Sequence, residues 1–220
     1  MDNQISWMIG DKLKPRLRDF GEDLSFNDHK IKFVVENCRN KDVLDIGCVQ
    51  HNPENYRTKY WLHKALIAVS TNVIGLDLYA QGVEYLCQRG FHIITGDAQG
   101  FVLDKKFDVI VAGDLIEHLE NIDGFFESCK NHLNKDGKIL ISTPNPWYWK
   151  NIVKAMLFSL VKNNPEHSLW LCPVTLAQVA RRHGLEVVSV KFGSRYILDR
   201  ILPLPRGIKH TSFHAVLVAH

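Results

Sequence analysis

The sequence lacks several features, and each absence argues against a class of function. Its formal net charge is only +3, from 27 basic and 24 acidic residues, which gives no strongly basic surface of the kind that binds nucleic acid. The five cysteines are odd in number and contain no C-x-x-C pair, a pattern that fits free thiols in a reducing compartment better than disulfides or structural zinc. Residues 1–10 lack the apolar core of a secretory signal, and the longest apolar helical pattern, 147–161, is interrupted by Lys150, Asn151 and Lys154. We therefore expect a cytoplasmic protein with no membrane span, no nucleic-acid partner and no bound metal, and the sequence leaves its oligomeric state open.

Strand and helix patterns alternate along the chain. Short apolar segments predict strands at 42–46, 72–76, 92–95, 107–112 and 138–142, and most are separated by patterns at helical spacing. Two later strands are predicted at 185–192 and 212–219, on either side of a loop over 193–210. The alternation predicts an α/β protein with a three-layer, doubly wound Rossmann-like sheet of about seven strands, mostly parallel with an antiparallel final strand.

The length fits a single domain over residues 1–220. Residues 1–40 are interpreted as an N-terminal helical extension that precedes the first strand, with a helix over 29–37. The amphipathic pattern 147–162 and the helix that begins at Pro173 follow the fifth predicted strand, where the pattern of the chain changes. We therefore interpret 147–184 as a lid or acceptor-side insertion within the domain.

The stretch 43–51 reads V-L-D-I-G-C-V-Q-H and ends the first predicted strand in a turn. Asp45 lies inside the apolar part of this stretch, where an ionised carboxylate is costly unless a partner meets it. Gly47 follows at the strand end, where a glycine lets the backbone approach a ligand closely. Asp77, Asp97 and Gly113 fall at or just after the ends of three later strands. Since ligands of doubly wound sheets bind beyond the carboxyl ends of the strands, these four positions predict one ligand site.

A dinucleotide site is disfavoured by the same stretch. The dinucleotide fingerprint requires G-x-G-x-x-G after the first strand, but Gly47 is followed by Cys48, Val49, Gln50 and His51. The acid after the second strand, Asp77, also comes later than the spacing of about 20 residues typical of that fingerprint.

Five segments, in the order of the chain, resemble the class I S-adenosylmethionine-dependent methyltransferases, of the type 11/12 kind. They are V-L-D-I-G-C (43–48), V-I-G-L-D-L (73–78), T-G-D-A (95–98), F-D-V-I-V-A-G-D-L-I-E-H-L (107–119) and L-N-K-D-G-K-I-L-I-S-T-P-N (133–145). The resemblance covers about 33–145, with a weaker match through the last two strands. It implies S-adenosyl-L-methionine as the cofactor and methyl transfer to a small-molecule or glycan-type acceptor.

The resemblance also implies a role for individual residues. Asp77 would accept hydrogen bonds from both ribose hydroxyls, and Asp97 would accept from the adenine amino group. Asp45 would help to place the ammonium of the cofactor, directly or through water. The implied cofactor-binding residues are Asp45, Gly47, Cys48, Asp77, Leu78, Asp97, Ala98, Gly113 and Asp114.

Transfer to a hydroxyl requires a proton acceptor, and His118 and His167 are the candidates. His118 follows the fourth predicted strand closely, and His167 lies in the segment interpreted as the lid. Methylation of a nucleobase is disfavoured, because the segment N-P-W-Y at 145–148 follows the fifth strand rather than the fourth.

One departure from the family pattern leaves an alternative function open. Family members usually carry G-x-G after the cysteine position, and this chain has Val49, Gln50 and His51 there. The alternative is a catalytically inactive protein that binds S-adenosylmethionine or S-adenosylhomocysteine in a regulatory or structural role. Aminopropyl transfer is a third reading, but the sequence lacks the strongly acidic acceptor pocket that a polyamine would favour.

Overall fold

The computed structural model describes residues 20–23, 29–159, 161, 164–193, 196, 199 and 201–219. The strands are β1 (Phe20–Asp23), β2 (Asp42–Ile46), β3 (Asn72–Asp77), β4 (Ile93–Thr95), β5 (Phe107–Gly113), β6 (Leu133–Pro144), β7 (Leu185–Gly193) and β8 (Ser212–Ala219). The α-helices are α1 (His29–Cys38), α2 (Leu62–Ile67), α3 (Ala80–Cys87), α4 (Ile122–Asn131), α5 (Trp149–Phe158), α6 (Pro173–Arg182) and α7 (Arg206–Lys209). Short 3-10 helices occupy Pro53–Arg57 and Ile116–His118. None of the helices in these described ranges is long and apolar enough to cross a membrane.

All eight strands form one sheet in the order β1-β7-β8-β6-β5-β2-β3-β4. The pairs β2–β3, β2–β5, β3–β4, β5–β6 and β1–β7 are parallel, whereas β8 is antiparallel to both β6 and β7. This confirms the predicted doubly wound sheet with an antiparallel final strand, and it adds β1 to the seven predicted strands. The chain reverses direction of winding between β2 and β5, so the carboxyl ends of β2, β3, β4 and β5 open on the same side.

Alternating side chains of each central strand enter two separate cores. Leu44 and Ile46 of β2 belong to the main core, which includes Phe125 and Phe126 of α4 and also residues of α6. Val43 instead belongs to the second core, which α1 and α2 cover on the other face. Helices therefore lie on both faces of the sheet, which is the three-layer arrangement.

The structure differs from the predictions in three segments. The segment interpreted as a helical extension, 1–40, contains strand β1 and helix α1; residues 1–19 and 24–28 lie outside the described residues. Strand β6 begins at Leu133 rather than 138, because residues 134–137 form an irregularity between two paired positions of the same strand. The predicted loop over 193–210 contains the short helix α7.

The predicted lid also differs from its sequence pattern. Helix α5 is shorter than the pattern 147–162 and ends at Ser159, which has a left-handed φ of 57°. Leu176 and Ala180 of α6 are fully buried in the main core. Helix α6 therefore packs on the sheet, whereas the loop before it carries Asn164 and His167 to the carboxyl ends of the strands.

Candidate functional site

An open cleft of about 1550 Å³ lies beyond the carboxyl ends of the parallel strands. Its size exceeds the ~300–1,000 Å³ of a pocket for one drug-sized ligand, so it can hold a nucleoside cofactor and an acceptor together. Seven of the nine predicted cofactor-binding residues line it: Gly47, Asp77, Leu78, Asp97, Ala98, Gly113 and Asp114. Both predicted catalytic histidines, His118 and His167, line it as well.

Asp77 and Asp97 lie at the ends of neighbouring strands, and each accepts hydrogen bonds from backbone N–H groups of nearby loops. Oδ2 of Asp77 accepts from the backbone N–H of Val49 at 2.8 Å, and Oδ1 accepts from the N–H of Tyr79 at 3.0 Å. Oδ1 of Asp97 accepts from the backbone N–H of Gln99 at 2.9 Å. Because a carboxylate offers about four lone-pair positions, both side chains keep acceptor capacity for a ligand.

Three residues in the loop after β2 have a left-handed backbone conformation, although only one of them is glycine. Gly47 has a φ of +77°, and Gln50 and His51 have φ values of 56° and 61°, a region that non-glycine residues rarely adopt. Val49 is fully buried and packs with Trp61 and Val83 in a third core. The side chain of Val49 therefore points away from the cleft, whereas Gln50 and His51 line it.

Three potential proton acceptors or metal ligands gather in the wall of the cleft. Glu117 and His118 belong to the 3-10 helix after β5, and His167 comes from the loop before α6. The rings of His118 and His167 meet edge to face at 4.7 Å between centroids, and one ligand atom from each of the three side chains lies within 4.8 Å of the others. Glu117 is 2% exposed, and its carboxylate accepts a hydrogen bond from the hydroxyl of Thr143 at 2.9 Å.

Burial shifts the pKa values of Glu117 and His167. It raises the pKa of Glu117 to about 7, and the nearby Asp114 adds to the effect. It lowers the pKa of His167, with His118 contributing in the same direction. His167 is therefore held in its neutral form, which can accept a proton.

Comparison with known proteins identifies the family of this chain. Residues 17–190 match the family model described as a methyltransferase domain. The chain belongs to this methyltransferase family. The match confirms the resemblance to class I S-adenosylmethionine-dependent methyltransferases that the ordered segments predict.

Individual relatives are distant but aligned over most of their length. The chain is 24% identical over 191 residues to the ubiquinone biosynthesis O-methyltransferase of Rickettsia canadensis (strain McKiel), covering 79% of this chain and 77% of the relative. It is also 24% identical over 179 residues to the protein of the same name in Azoarcus sp. (strain BH72), covering 76% and 73%. Among solved structures, an S-adenosylmethionine-dependent methyltransferase from Archaeoglobus fulgidus matches with a TM-score of 0.60 at 18% identity, covering 98% of both chains. The glycopeptide N-methyltransferase MtfA in complex with S-adenosylmethionine matches with a TM-score of 0.59 at 15% identity, covering 99% of this chain and 96% of that one.

Two of the predicted cofactor-binding residues of this methyltransferase lie behind the cleft rather than in its wall. Asp45 is 2% exposed, and its Oδ2 is 2.9 Å from Nδ1 of the fully buried His63. Cys48 is buried in the third core, and burial, together with Asp45 and Asp77, raises the pKa of its thiol well above the usual range. The partner that the sequence required for Asp45 is thus a histidine of α2, and Cys48 is an inert core thiol.

The methyltransferase cleft also contains polar residues that the sequence analysis did not identify. Nζ of Lys30, in the first turn of α1, donates to Oδ2 of Asp114 at 2.7 Å. His29 and His214 contact each other through Nδ1 and Nε2 at 2.8 Å, and Nδ1 of His214 lies 2.8 Å from the hydroxyl of Ser142. His214 lies on β8 and His29 begins α1, so the packing of α1 on the sheet, which single-sequence patterns do not give, brings the two together.

Proposed function

We propose that this methyltransferase transfers a methyl group from S-adenosyl-L-methionine to an oxygen of a small-molecule acceptor. The observation that carries the proposal is the pair of carboxylates, Asp77 and Asp97, at adjacent strand ends of one large cleft. A small-molecule acceptor is supported by the relatives named O-methyltransferases. A glycan-type acceptor stays a prediction from the sequence.

The cofactor end of the cleft fits a nucleoside with a cationic tail. Asp77 presents its remaining lone pairs to the two ribose hydroxyls, and Asp97 presents its own to the adenine amino group. Gly47 lets the backbone approach the ligand because glycine has no side chain, and glycine also readily adopts the left-handed φ of +77° at this position. When bound, S-adenosylmethionine would supply an electrophilic methyl group for transfer to the acceptor oxygen and would become S-adenosylhomocysteine.

The acceptor end provides the proton chemistry. A hydroxyl acceptor must lose its proton as the new carbon–oxygen bond forms, and His167 or His118 is placed to receive it. His167 is the stronger candidate because burial and the neighbouring His118 lower its pKa and keep it neutral. Alignment and exclusion of water supply the remainder, which is the task of the loop that carries His167.

The alternative, an inactive cofactor-binding protein, rests on the replacement of the usual glycines by Val49, Gln50 and His51. The side chain of Val49 lies in the third core and takes no space from the cleft, so of these three residues only Gln50 and His51 can crowd the methionine part of the cofactor. A reducing, cytoplasmic location also stays our prediction, and it is supported by the free thiols of all five cysteines.

Calorimetric titration with S-adenosylmethionine and with S-adenosylhomocysteine tests the proposal. We expect saturable binding of one molecule per chain, weakened about 10- to 100-fold in Asp77→Asn, since a hydrogen bond to a charged group contributes about 1.5–3 kcal/mol. Asp136→Asn, an exposed acid in the irregularity of β6, is the matched control and should bind as wild type does. Asp97→Asn is the second variant, in case Asp77→Asn disturbs the loop at Val49.

Failure to bind either compound at 1 mM by folded wild-type protein would overturn the proposal. Binding without release of S-adenosylhomocysteine across a panel of phenols, catechols and sugars would instead support the inactive alternative.

A further inference from the structure

We propose that Glu117, His118 and His167 bind a divalent transition-metal ion at the acceptor end of the cleft. One ligand atom from each side chain lies within 4.8 Å of the other two, and all three residues line the cleft. Two imidazoles and one carboxylate on one side of an ion leave its remaining positions open, as in metal sites that bind substrate. This inference deepens the proposed function and rests on it only for the role of the ion, not for its binding.

The three ligands come from two segments that are fastened to each other. The carbonyl of Glu117 accepts from the backbone N–H of Ser168 at 2.8 Å and of Leu169 at 3.1 Å. The hydroxyl of Ser168 donates to the carbonyl of Leu119 at 2.9 Å. These bonds fix His167 opposite His118, so the site does not depend on a chance approach of two mobile side chains.

In the described part of the chain, no cationic side chain forms an ion pair with the buried carboxylate of Glu117. Its donor in the structure is the neutral hydroxyl of Thr143, and no ion pair links it to a basic residue within the described ranges. The nearby Lys30 is already paired with Asp114 at 2.7 Å. Ionising a buried carboxyl without a counter-charge is unfavourable, and a bound cation offsets that penalty.

The two histidines have nitrogen atoms available. Nδ1 of His167 is buried and has no hydrogen-bond partner in the described part of the chain. The ring of His118 touches those of His167 and His51 but makes no hydrogen bond to any residue that the structure describes. A buried ring nitrogen without a partner is unfavourable, whereas metal-binding histidine uses that lone pair.

The donor set selects the kind of ion. Zinc–nitrogen and zinc–oxygen bonds of about 2.0–2.2 Å place neighbouring ligand atoms about 3–3.5 Å apart, so small rotations of the side chains would close the site. Mixed nitrogen and oxygen ligands suit manganese, cobalt or zinc better than magnesium, which prefers an all-oxygen octahedron. With the ion bound, His118 and His167 would hold it instead of accepting the proton. The open positions would bind the acceptor oxygen and favour its deprotonated form, and the proton would leave to solvent.

The test is metal binding by the whole chain after removal of metals with a chelator. Calorimetry with Mn²⁺ and visible absorption with Co²⁺ should each show one saturable site per chain, with Mg²⁺ at least about 10-fold weaker. His118→Asn and His167→Asn should each weaken binding of Mn²⁺ by at least about 10-fold. His92→Asn, an exposed histidine outside the cleft, is the matched control and should bind as wild type does.

Glu117→Gln should weaken Mn²⁺ binding similarly, and its thermal unfolding should be recorded in parallel because it is buried. The proposal is overturned if wild-type protein shows no stoichiometric binding below 1 mM, or if both histidine variants bind as tightly as wild type. Titration of the metal-free protein with S-adenosylhomocysteine separates the two proposals. Its binding should persist without metal, because neither Asp77 nor Asp97 is among the three proposed metal ligands, and its loss in every condition would count against the proposed function instead.

Discussion

Gly82, in the first turn of α3, gives Val49 the space to turn away from the cleft. A Cβ at position 82 would lie 2.6 Å from Cγ1 of Val49 and 2.6 Å from Cδ1 of Tyr79. Tyr79 is 43% exposed and can rotate out, but Val49 is fully buried and cannot. Gly82→Ala therefore forces an overlap in the third core.

The magnitude follows from two opposed effects. Overpacking a core costs about 1–3 kcal/mol, whereas alanine in place of glycine within a helix contributes about 1 kcal/mol of stability. We expect Gly82→Ala to lower the free energy of unfolding by about 1 kcal/mol, which is roughly 2–4 °C in Tm for a chain of this size. In a Val49→Ala background both γ carbons are gone, so the same substitution should raise stability by up to about 1 kcal/mol.

Urea unfolding of wild type, Gly82→Ala, Val49→Ala and the double variant measures this change of sign. Gly100→Ala is the matched control, because a Cβ there would meet nothing within 4 Å, and its effect should be the same in both backgrounds. Equal effects of Gly82→Ala with and without Val49 would refute the reasoning, and the Val49 side chain would then have to be placed elsewhere.

Three further perturbations test other parts of the structure. Asp45→Ala should lower the free energy of unfolding by about 3 kcal/mol, because it leaves buried His63 without its acceptor, and a loss below 1 kcal/mol in urea unfolding would contradict the pairing. Gly75→Ala places a Cβ 2.6 Å from a buried sulfur and should cost about 1–3 kcal/mol, whereas Gly100→Ala should not; equal Tm values for the two would argue against this packing. Burial lowers the pKa of His214 well below its usual 6.5, so the unfolded chain takes up a proton below pH 6.5 and the folded chain does not. Stability should therefore fall by up to about 1.4 kcal/mol per pH unit as the pH drops below 6.5, and a His214→Gln variant with an undiminished slope would exclude His214 as the cause.

The fold and the cofactor side of the cleft could be predicted because their signals are local. A buried strand that ends in glycine or aspartate is readable from a few consecutive residues, and parallel pairing then brings Gly47, Asp77 and Asp97 to one edge. The motif segments added the order in which these strand ends occur.

The contacts between distant segments could not be predicted in the same way. The sequence indicates that Asp45 needs a partner but does not identify His63, which is 18 residues away on α2. Lys30 and Asp114 are 84 residues apart, and His29 and His214 are 185 apart. Such pairs depend on how helices pack over the sheet, which no local spacing encodes. The backbone of Gln50 and His51 was also hidden, since glutamine rarely adopts a left-handed conformation and a single histidine is only a weak signal for one.

The short strand β1 has a consequence for solubility. Strand β7 is nine residues long and pairs with β8 on one side, so its other side would be an exposed sheet edge. Strand β1 pairs there with Val190, Lys191 and Phe192. Long uncovered edges recruit strands from other molecules. A shortened protein that begins after Asp23 would therefore expose the hydrogen-bonding groups of β7 and tend to aggregate edge to edge, even though its cleft would be complete.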